Sequence, residues 1–215
     1  MRTIAYVDGF NLYYGACRAP GRKWLDLTAL ATRLLPNDDV FEICYFTANF
    51  KVDPANPGRQ DRQRLYQLAL RSSGLVEIYL GRFLRKRVTG VLVDHASGEP
   101  PIRTVKTFEE KGTDVNLASR LLKDAFEGRM EQAAVISNDG DLKMPIKIVR
   151  EHLSLPVTVI NPVLHARHRS AALSPDPLPG FAHFIRLTAS DVELSQFPKT
   201  VISPKGTRIT KPPNW

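Results

Sequence analysis

The sequence has few cysteines and no long hydrophobic run, and both absences narrow the class of protein. Only Cys17 and Cys44 occur among its 215 residues, without a C-x-x-C pair or a histidine at zinc spacing. This argues against a disulfide-stapled scaffold and a zinc finger, and both cysteines are expected to be buried free thiols. No stretch reaches the roughly 18 to 20 apolar residues of a membrane helix, and the N-terminus does not resemble a signal peptide. We therefore expect a cytoplasmic protein that has no membrane partner.

Glycine-rich phosphate-binding loops and sequence repeats are also absent. Neither G-x-x-x-x-G-K-[ST] nor G-x-G-x-x-G occurs, so nucleotide binding by such a loop has no support. No repeat period is present, and no series of regular strands suggests a β-sandwich.

The composition is that of an ordinary globular protein with an excess of basic over acidic residues. Hydrophobic residues make up 43% and charged residues 24%, values typical of a soluble domain. The length suits one domain, and the pattern of strands and helices weakens beyond residue 162. We therefore expect one domain over residues 1–162 and a C-terminal extension over residues 163–215 that packs on the domain or trails from it. The net charge of +8 favours a polyanionic partner such as nucleic acid, although an ordinary basic surface is the alternative.

Short apolar segments alternate with amphipathic ones along the chain. The segments predicted to be strands are residues 4–7, 40–47, 75–84, 133–137 and 155–160. The helices predicted between them cover residues 27–34, a polar segment ending near residue 71, 113–126 and 141–152. Residues 85–101 are interpreted as a hairpin excursion and residues 109–113 as a loop. This alternation predicts an α/β fold with a mostly parallel sheet and helices on both faces.

Acidic residues follow the predicted strands at the edge where such sheets bind ligands. Asp8 follows the first strand, Asp139 and Asp141 follow the strand ending at Ser137, and Asp114 begins a helix. Carboxylates that share one crevice repel one another and need protons or cations, and their hard oxygen atoms suit Mg²⁺ or Mn²⁺. Each acid taken alone has an ordinary alternative as a turn residue or a helix cap, Asp141 most easily of all.

A negative pocket within a basic chain is typical of a metal-dependent phosphodiesterase. Two alternatives stay open. One is a non-catalytic RNA-binding or regulatory module that keeps the same fold and the same acids. The other is a nucleotide phosphatase, although Phe10 stands where a second acid commonly follows an aspartate nucleophile such as Asp8.

Three segments resemble the NYN-domain proteins, which belong to the PIN-like ribonucleases. They are residues 7–12 (VDGFNL), 110–118 (EKGTDVNLA) and 137–142 (SNDGDL). The resemblance extends over about residues 3–161. It implies a three-layer α/β/α sandwich with a central, mostly parallel sheet, and a divalent-metal centre that hydrolyses RNA. Residues 1–162 would then be an NYN/PIN-like nuclease domain with RNA as its partner and Mg²⁺ or Mn²⁺ as its cofactor.

The resemblance also implies roles for individual residues. The acids that match the family's metal ligands are Asp8, Asp114 and Asp139. Asn11 and Asp141 match supporting positions in the catalytic site. Lys111 and Ser137 match positions that contact substrate or orient the neighbouring acid, and a solvated loop lysine is the alternative for Lys111.

A basic cluster with an interleaved aromatic residue is a further candidate for substrate binding. It consists of Arg82, Arg85, Lys86 and Arg87. Such a cluster can follow a phosphate backbone, and ordinary surface charge is the alternative.

One departure from the family concerns a further acid that many PIN nucleases place after an early strand. The candidates here are Glu42, Asp53 and Asp61, none of which lies in a recognised motif. The number of metal ions is therefore left open, as is the choice between a monomer and a homodimer.

Overall fold

A computed structural model describes residues 1–51, 56–94, 98, 101–164, 183–213 and 215. The helices are α1 (Gly9–Leu12), continued by a π-helical turn (Tyr13–Cys17), α2 (Leu27–Leu34), α3 (Arg59–Arg71), α4 (Thr113–Phe126), α5 (Lys143–Glu151), which follows a 3-10 turn (Gly140–Leu142), and α6 (Ala189–Leu194). The strands are β1 (Arg2–Asp8), β2 (Asp39–Ala48), β3 (Val76–Val91), β4 (Ile102–Lys111), β5 (Gln132–Ile136), β6 (Val157–Asn161), β7 (His183–Arg186), β8 (Thr200–Ile202) and β9 (Arg208–Thr210).

Seven strands of the described chain form the central sheet, in the order β4-β3-β2-β1-β5-β6-β7. Every neighbouring pair is parallel except β3 and β4, which form an antiparallel hairpin. Strands β8 and β9 pair with each other apart from this sheet. The predicted α/β fold with a mostly parallel sheet is therefore confirmed, and its parallel strands end at a common edge.

Helices cover both faces of the sheet because successive residues of its strands point to opposite sides. Val7 packs in a hydrophobic cluster with Leu30 of α2 and Leu70 of α3. Tyr6, the preceding residue of β1, packs in a second cluster with Leu117 of α4. Complete burial of each such leucine contributes about 1.5–3 kcal/mol, so both clusters stabilise the sheet from either side.

Local sequence determines where α2 begins. Asp26 is its N-cap, and one carboxylate oxygen accepts hydrogen bonds from the backbone N–H groups of Thr28 (2.9 Å) and Ala29 (3.3 Å). The helix then buries Leu27 and Leu30 against the sheet. The predicted start of this helix at residue 27 is therefore confirmed, and the Asp26 cap is the physical reason for it.

The hairpin of β3 and β4 is longer than predicted. Strand β3 continues to Val91, where a strand ending at Leu84 was expected, and residues 109–111, expected as a loop, belong to β4. Arg82 pairs with Lys111, and the ladder continues to the pair formed by Val91 and Ile102. Strand β3 is largely exposed after Gly81, and β4 is largely exposed over its whole length. The two strands therefore lack the apolar alternation that predicts a half-buried strand.

The C-terminal segment contributes to the same core as the N-terminal segment. Strand β7 pairs with β6, and Val192, Val201 and Ile209 join the cluster that contains α2 and α3. The sequence analysis did not predict β7, α6, β8 and β9, because none of them exceeds six residues. The available signal was the capping box of α6, in which Thr188 and Asp191 exchange hydrogen bonds. The domain boundary predicted at residue 162 adjoins residues 165–182, which lie outside the described ranges.

The structure also bears on the two cysteines and on the absence of a long hydrophobic run. Cys17 and Cys44 are buried free thiols, as predicted, and burial raises the pKa of Cys17 to about 12. Within the described ranges, none of the helices combines the length and apolar character needed to cross a bilayer.

Candidate active site at the carboxyl edge of the sheet

Asp8 and Ser137 meet where two adjacent parallel strands end. Val7 of β1 pairs with Ile136 of β5, so the next residue of each strand lies at the same edge. The Ser137 hydroxyl donates a hydrogen bond to Asp8 Oδ2 at 3.0 Å. Ser137 is completely buried and Asp8 is only 5% exposed, so this contact is shielded from water.

Three further hydrogen bonds order the loops after β1 and β5, and one of them joins the two loops. Asp8 Oδ1 accepts from the backbone N–H of Asn11 at 3.0 Å, which caps the short helix α1. Asn11 Oδ1 accepts from the backbone N–H of Asn138 at 3.0 Å. Ser137 Oγ also accepts from the backbone N–H of Asp139 at 3.1 Å. The segments that carry Asp8 and Asp139 therefore have a fixed relative position.

Asp139 and Asp141 belong to one tight turn. Asp139 Oδ1 accepts from the backbone N–H of Asp141 at 2.9 Å and caps the 3-10 turn that precedes α5. The helix predicted to begin at residue 141 thus starts as a 3-10 turn, and α5 itself begins at Lys143. The side chain of Asp141 is exposed at this turn.

The long hairpin returns the chain to the same edge, where α4 begins with Asp114 in its first turn. Gly112 precedes the helix with φ of 100°, a left-handed conformation that favours glycine. Glu110 accepts hydrogen bonds from the Thr113 backbone N–H (3.2 Å) and hydroxyl (2.7 Å). This cap fixes the start of the helix that carries Asp114.

The acids from these segments act on one another electrostatically. Burial, and then the charges of Asp8, Asp139, Glu110 and Asp141 in that order, together raise the pKa of Asp114 to about 6. Burial also raises the pKa of Asp8, against hydrogen bonds that lower it, and the charge of Asp139 adds to the rise. The structure therefore brings Asp8, Asp114 and Asp139 into one negatively charged region.

The donor chemistry of this region suits a hard divalent cation. All the ionisable side chains are carboxylates, and none of them forms an ion pair with another described residue. Asn138 is 8% exposed, and its amide oxygen accepts no hydrogen bond, which is unusual for a buried polar atom. Across the described ranges, however, no three His, Cys, Asp or Glu side chains already stand as a metal-ligand group. The residues fit a cation in chemistry and charge, but the carboxylates must adjust to coordinate it.

The raised pKa of Asp114 predicts a stability gain when its charge is removed. In the presence of chelator, Asp114→Asn is expected to raise the free energy of unfolding at pH 8 by on the order of 1 kcal/mol, because it removes repulsion among the acids. Between about pH 4 and pH 6 the folded state keeps a proton that the unfolded state has lost, so wild-type stability falls as the pH rises through this window. Urea unfolding at pH 8 and at pH 4 measures both effects.

The matched control is Asp61→Asn. Asp61 also lies in the first turn of a helix, α3, but it is exposed. This variant loses the same favourable interaction with the helix dipole without relieving repulsion, so it is expected to be neutral or slightly destabilising. Equal effects of the two substitutions at pH 8 would contradict the mutual repulsion of the acids.

Gly9 allows the chain to pass closely over β2 directly after Asp8. A Cβ atom at this position would lie 2.6 Å from the Phe46 carbonyl oxygen and 2.7 Å from Tyr45 Cζ. Gly9→Ala is therefore expected to displace α1, to lower the free energy of unfolding by about 1–3 kcal/mol and to disturb the hydrogen bond from Asn11 to Asp8. Gly90→Ala on the exposed hairpin is the control, because its Cβ would meet no atom within 4 Å. Denaturant unfolding of both variants tests the prediction, and equal stabilities would contradict it.

The predicted substrate residues Lys111 and the basic cluster lie on the hairpin of β3 and β4, which leads to the helix that carries Asp114. Lys111 Nζ lies 2.7 Å from Glu109, which also pairs with Lys86 at 2.8 Å. The strand alternation places Arg82 and Lys86 on one face of the hairpin, and it places Arg85 and Arg87 on the other. The predicted cluster therefore presents positive charge on both faces of the hairpin.

Of the three candidates for a further acid, Glu42 lies far from the site. Its register partner on β1 is Ile4, four residues before Asp8, which corresponds to about 13 Å along the strand. Its carboxylate is bound by Arg120 at 2.8 Å and by Arg129 at 2.7 Å. Asp61 is exposed on α3, and Asp53 lies outside the described residues.

The sequence analysis missed two residues of the site and an adjoining pocket. Glu110 and Asn138 lie inside the resembling segments, but the resemblance assigned roles only to neighbouring residues. The pocket begins at Gly9 and extends between the π-helical turn, the end of β2 and α3. Its aromatic and basic lining residues are far apart in the sequence, so no motif could have indicated it.

Comparison with known proteins supports the fold and leaves the activity open. No model of a known protein family matches the chain. The whole chain aligns, at 29% identity over 241 positions, with 75% of 6-hydroxy-3-succinoylpyridine 3-monooxygenase HspA from Pseudomonas putida. A solved structure of a protein of unknown function from Vibrio parahaemolyticus has a TM-score of 0.53 and 16% identity, over 86% of this chain and 92% of that one. That likeness concerns the α/β fold alone.

Proposed function

We propose that this protein is a metal-dependent ribonuclease with the three-layer α/β/α architecture of the NYN and PIN-like nucleases. The observation that carries the proposal is the shared electrostatics of Asp8, Asp114 and Asp139. They come from three separate segments, and two of them raise the pKa of the third. Acids that serve only as helix caps do not need to lie so close together at one edge of a sheet that their charges repel one another.

In this proposal the residues of the chain position charge around a scissile phosphate. Asp8, Asp114 and Asp139 would hold Mg²⁺ or Mn²⁺, and Ser137 and the backbone of Asn11 fix the orientation of Asp8. The hydrogen bonds that Asp8 accepts leave lone pairs on both oxygens for a further ligand. The bound ion would supply charge neutralisation at the phosphate and a lower pKa for water.

The hairpin of β3 and β4 supports the proposal because its exposed arginines suit an RNA substrate. Arg82, Arg85 and Arg87 are exposed on β3, which reaches the same edge of the sheet. Such side chains attract a phosphate backbone without reading its sequence, which suits an enzyme acting on RNA. The chain as a whole has a net charge of +8.

A cleavage assay on end-labelled single-stranded RNA tests the proposal. We expect cutting with Mn²⁺ or Mg²⁺ and none with chelator. Retention of RNA without metal-stimulated cutting would favour the non-catalytic RNA-binding or regulatory module. Release of inorganic phosphate from mononucleotides, without cutting of RNA, would favour the nucleotide phosphatase.

Oxidation of an aromatic compound is the second candidate function. Two observations favour it: the name of the 29% identical relative, and the ring-lined pocket that begins at Gly9. The reaction would insert one atom of O₂ into 6-hydroxy-3-succinoylpyridine, and the other atom would leave as water with two electrons and two protons from an added external donor. Chromatography of this compound after incubation with protein, O₂ and NADH tests it. Substrate consumption without RNA cleavage would replace the first proposal.

A further inference from the structure

A second candidate site lies beside the acids, in the pocket between the π-helical turn and α3. It has a cavity volume of about 150 Å³. Aromatic rings form much of its wall, namely Phe10, Tyr13, Tyr45, Phe50, Tyr66 and Trp215. Three basic side chains also line it: Lys23, Arg59 and Arg62.

The rings are held rigidly by contacts with one another. Phe50 stacks on Phe83 with ring centroids 5.4 Å apart, and Phe10 meets both rings edge to face. On the opposite wall, Trp215 packs edge to face against Tyr66 at 5.8 Å. These walls therefore keep their shape without a ligand, which lowers the entropic cost of inserting a planar group between them.

The basic side chains are half-buried and lack acidic partners. Within the described ranges, no carboxylate forms an ion pair with Lys23, Arg59 or Arg62. The Arg59 guanidinium lies 3.4 Å from the centre of the Phe50 ring, and its charge acts on the nearby Tyr13 hydroxyl. Positive charge withdrawn from water without an anion is unfavourable, so a bound anion would satisfy it.

We propose that this pocket binds a planar aromatic ring that carries an anionic group. The ring lies among the aromatic walls, and the anion contacts Arg59 and Lys23. Two kinds of ligand have this chemistry: a nucleotide with its phosphate, and a small aromatic carboxylate. The proposal does not depend on metal binding or RNA cleavage, because none of the acids of the candidate active site lines the pocket.

Isothermal titration calorimetry of the full chain in chelator tests this pocket. The probes are uridine 5′-monophosphate, nicotinate, uridine and inorganic phosphate. We expect either uridine monophosphate or nicotinate to bind at least tenfold more tightly than uridine and phosphate, which each carry only half of the chemistry. The probe that binds identifies the source of the ligand, and failure of both would overturn the proposal.

Arg59→Gln and its control Arg64→Gln locate the binding. Both residues lie on α3, but Arg64 is exposed and does not line the pocket. Arg59→Gln should weaken binding about tenfold, the loss of one charge-assisted contact, whereas Arg64→Gln should leave it unchanged. Arg59 is the first residue of α3, where the helix dipole disfavours a cation, so its replacement should not harm the helix. Equal affinities of the two variants would overturn the assignment of the anion to Arg59.

Discussion

Asp8→Asn is expected to abolish metal-dependent cleavage of RNA while leaving the protein folded. If Asp8 is a direct ligand of the cation, its loss should exceed the 10–100-fold effect of changing a group one step removed from a metal. The expected decrease in the cleavage rate is therefore more than about a hundredfold. Gel assays with Mn²⁺ over a range of concentrations measure it and separate weaker metal binding from a lower maximal rate.

The fold should tolerate this substitution for a reason visible at the atoms of Asp8. An asparagine oxygen can still accept from the backbone N–H of Asn11, and its NH₂ group can donate to Ser137 Oγ after the hydroxyl rotates. Burial already raises the pKa of Asp8, so a neutral side chain of the same shape is no harder to bury. Denaturant unfolding should show a free energy at least equal to that of the wild type.

Asp39→Asn provides the matched control. Asp39 is exposed, and its register partner on β1 is Arg2. Both residues lie at the amino end of the sheet, opposite the candidate site. The Asp39→Asn variant is expected to cleave RNA at the wild-type rate. If Asp8→Asn also cut at that rate, the assignment of Asp8 to the metal centre would be wrong.

Two of the acids, Asp8 and Asp139, were predictable from local rules of sequence. Asp8 is the last residue of β1, Asp139 lies three residues after the end of β5, and a parallel sheet brings such positions to a common edge. Asp114 needed more than local rules, because a hairpin of exposed strands separates it from the sheet. The resembling segment around residue 114 supplied that link, since periodicity did not reveal the length of the hairpin.

Features that depend on tertiary contact alone escaped the sequence analysis. Trp215 and Arg59 line one pocket although more than half of the chain separates them. The ion-pair network of Glu42 was likewise invisible, and Glu42 was considered as a site acid for that reason. A charged residue in a strand gives no indication of whether it faces a ligand or an arginine from a distant helix.

Asp124 is expected to be the main polar anchor of the opposite end of α4. Its side chain is completely buried, and its oxygens accept from Arg129 (2.6 Å), Arg120 (2.6 Å) and the Tyr6 hydroxyl (2.9 Å). Burial alone would raise the pKa of Asp124, but these hydrogen bonds lower it below its usual value. The two arginines also share Glu42, so the four charged groups balance.

Asp124→Asn is therefore expected to lower the free energy of unfolding by about 3 kcal/mol at pH 7, because it leaves a partly buried excess of positive charge. Because the folded pKa of Asp124 is lowered, its contribution is present above the unfolded pKa near 4 and is lost as the pH falls through the folded value. The difference between variant and wild type should therefore persist from pH 5 to 8 and shrink below pH 4. Urea unfolding across this range measures it.

Glu127→Gln at the C-cap of α4 is the control for Asp124→Asn. Glu127 pairs with Lys123 at 2.9 Å, but its side chain is 49% exposed, so its loss should cost no more than about 0.5 kcal/mol. Asp124 lies ten residues beyond Asp114, about 15 Å along the helix, so both variants should cleave RNA normally per folded molecule. Equal stabilities of the two variants would show that the buried network does not anchor the helix. A loss of cleavage in folded Asp124→Asn would show instead that the network positions Asp114 from the far end of α4.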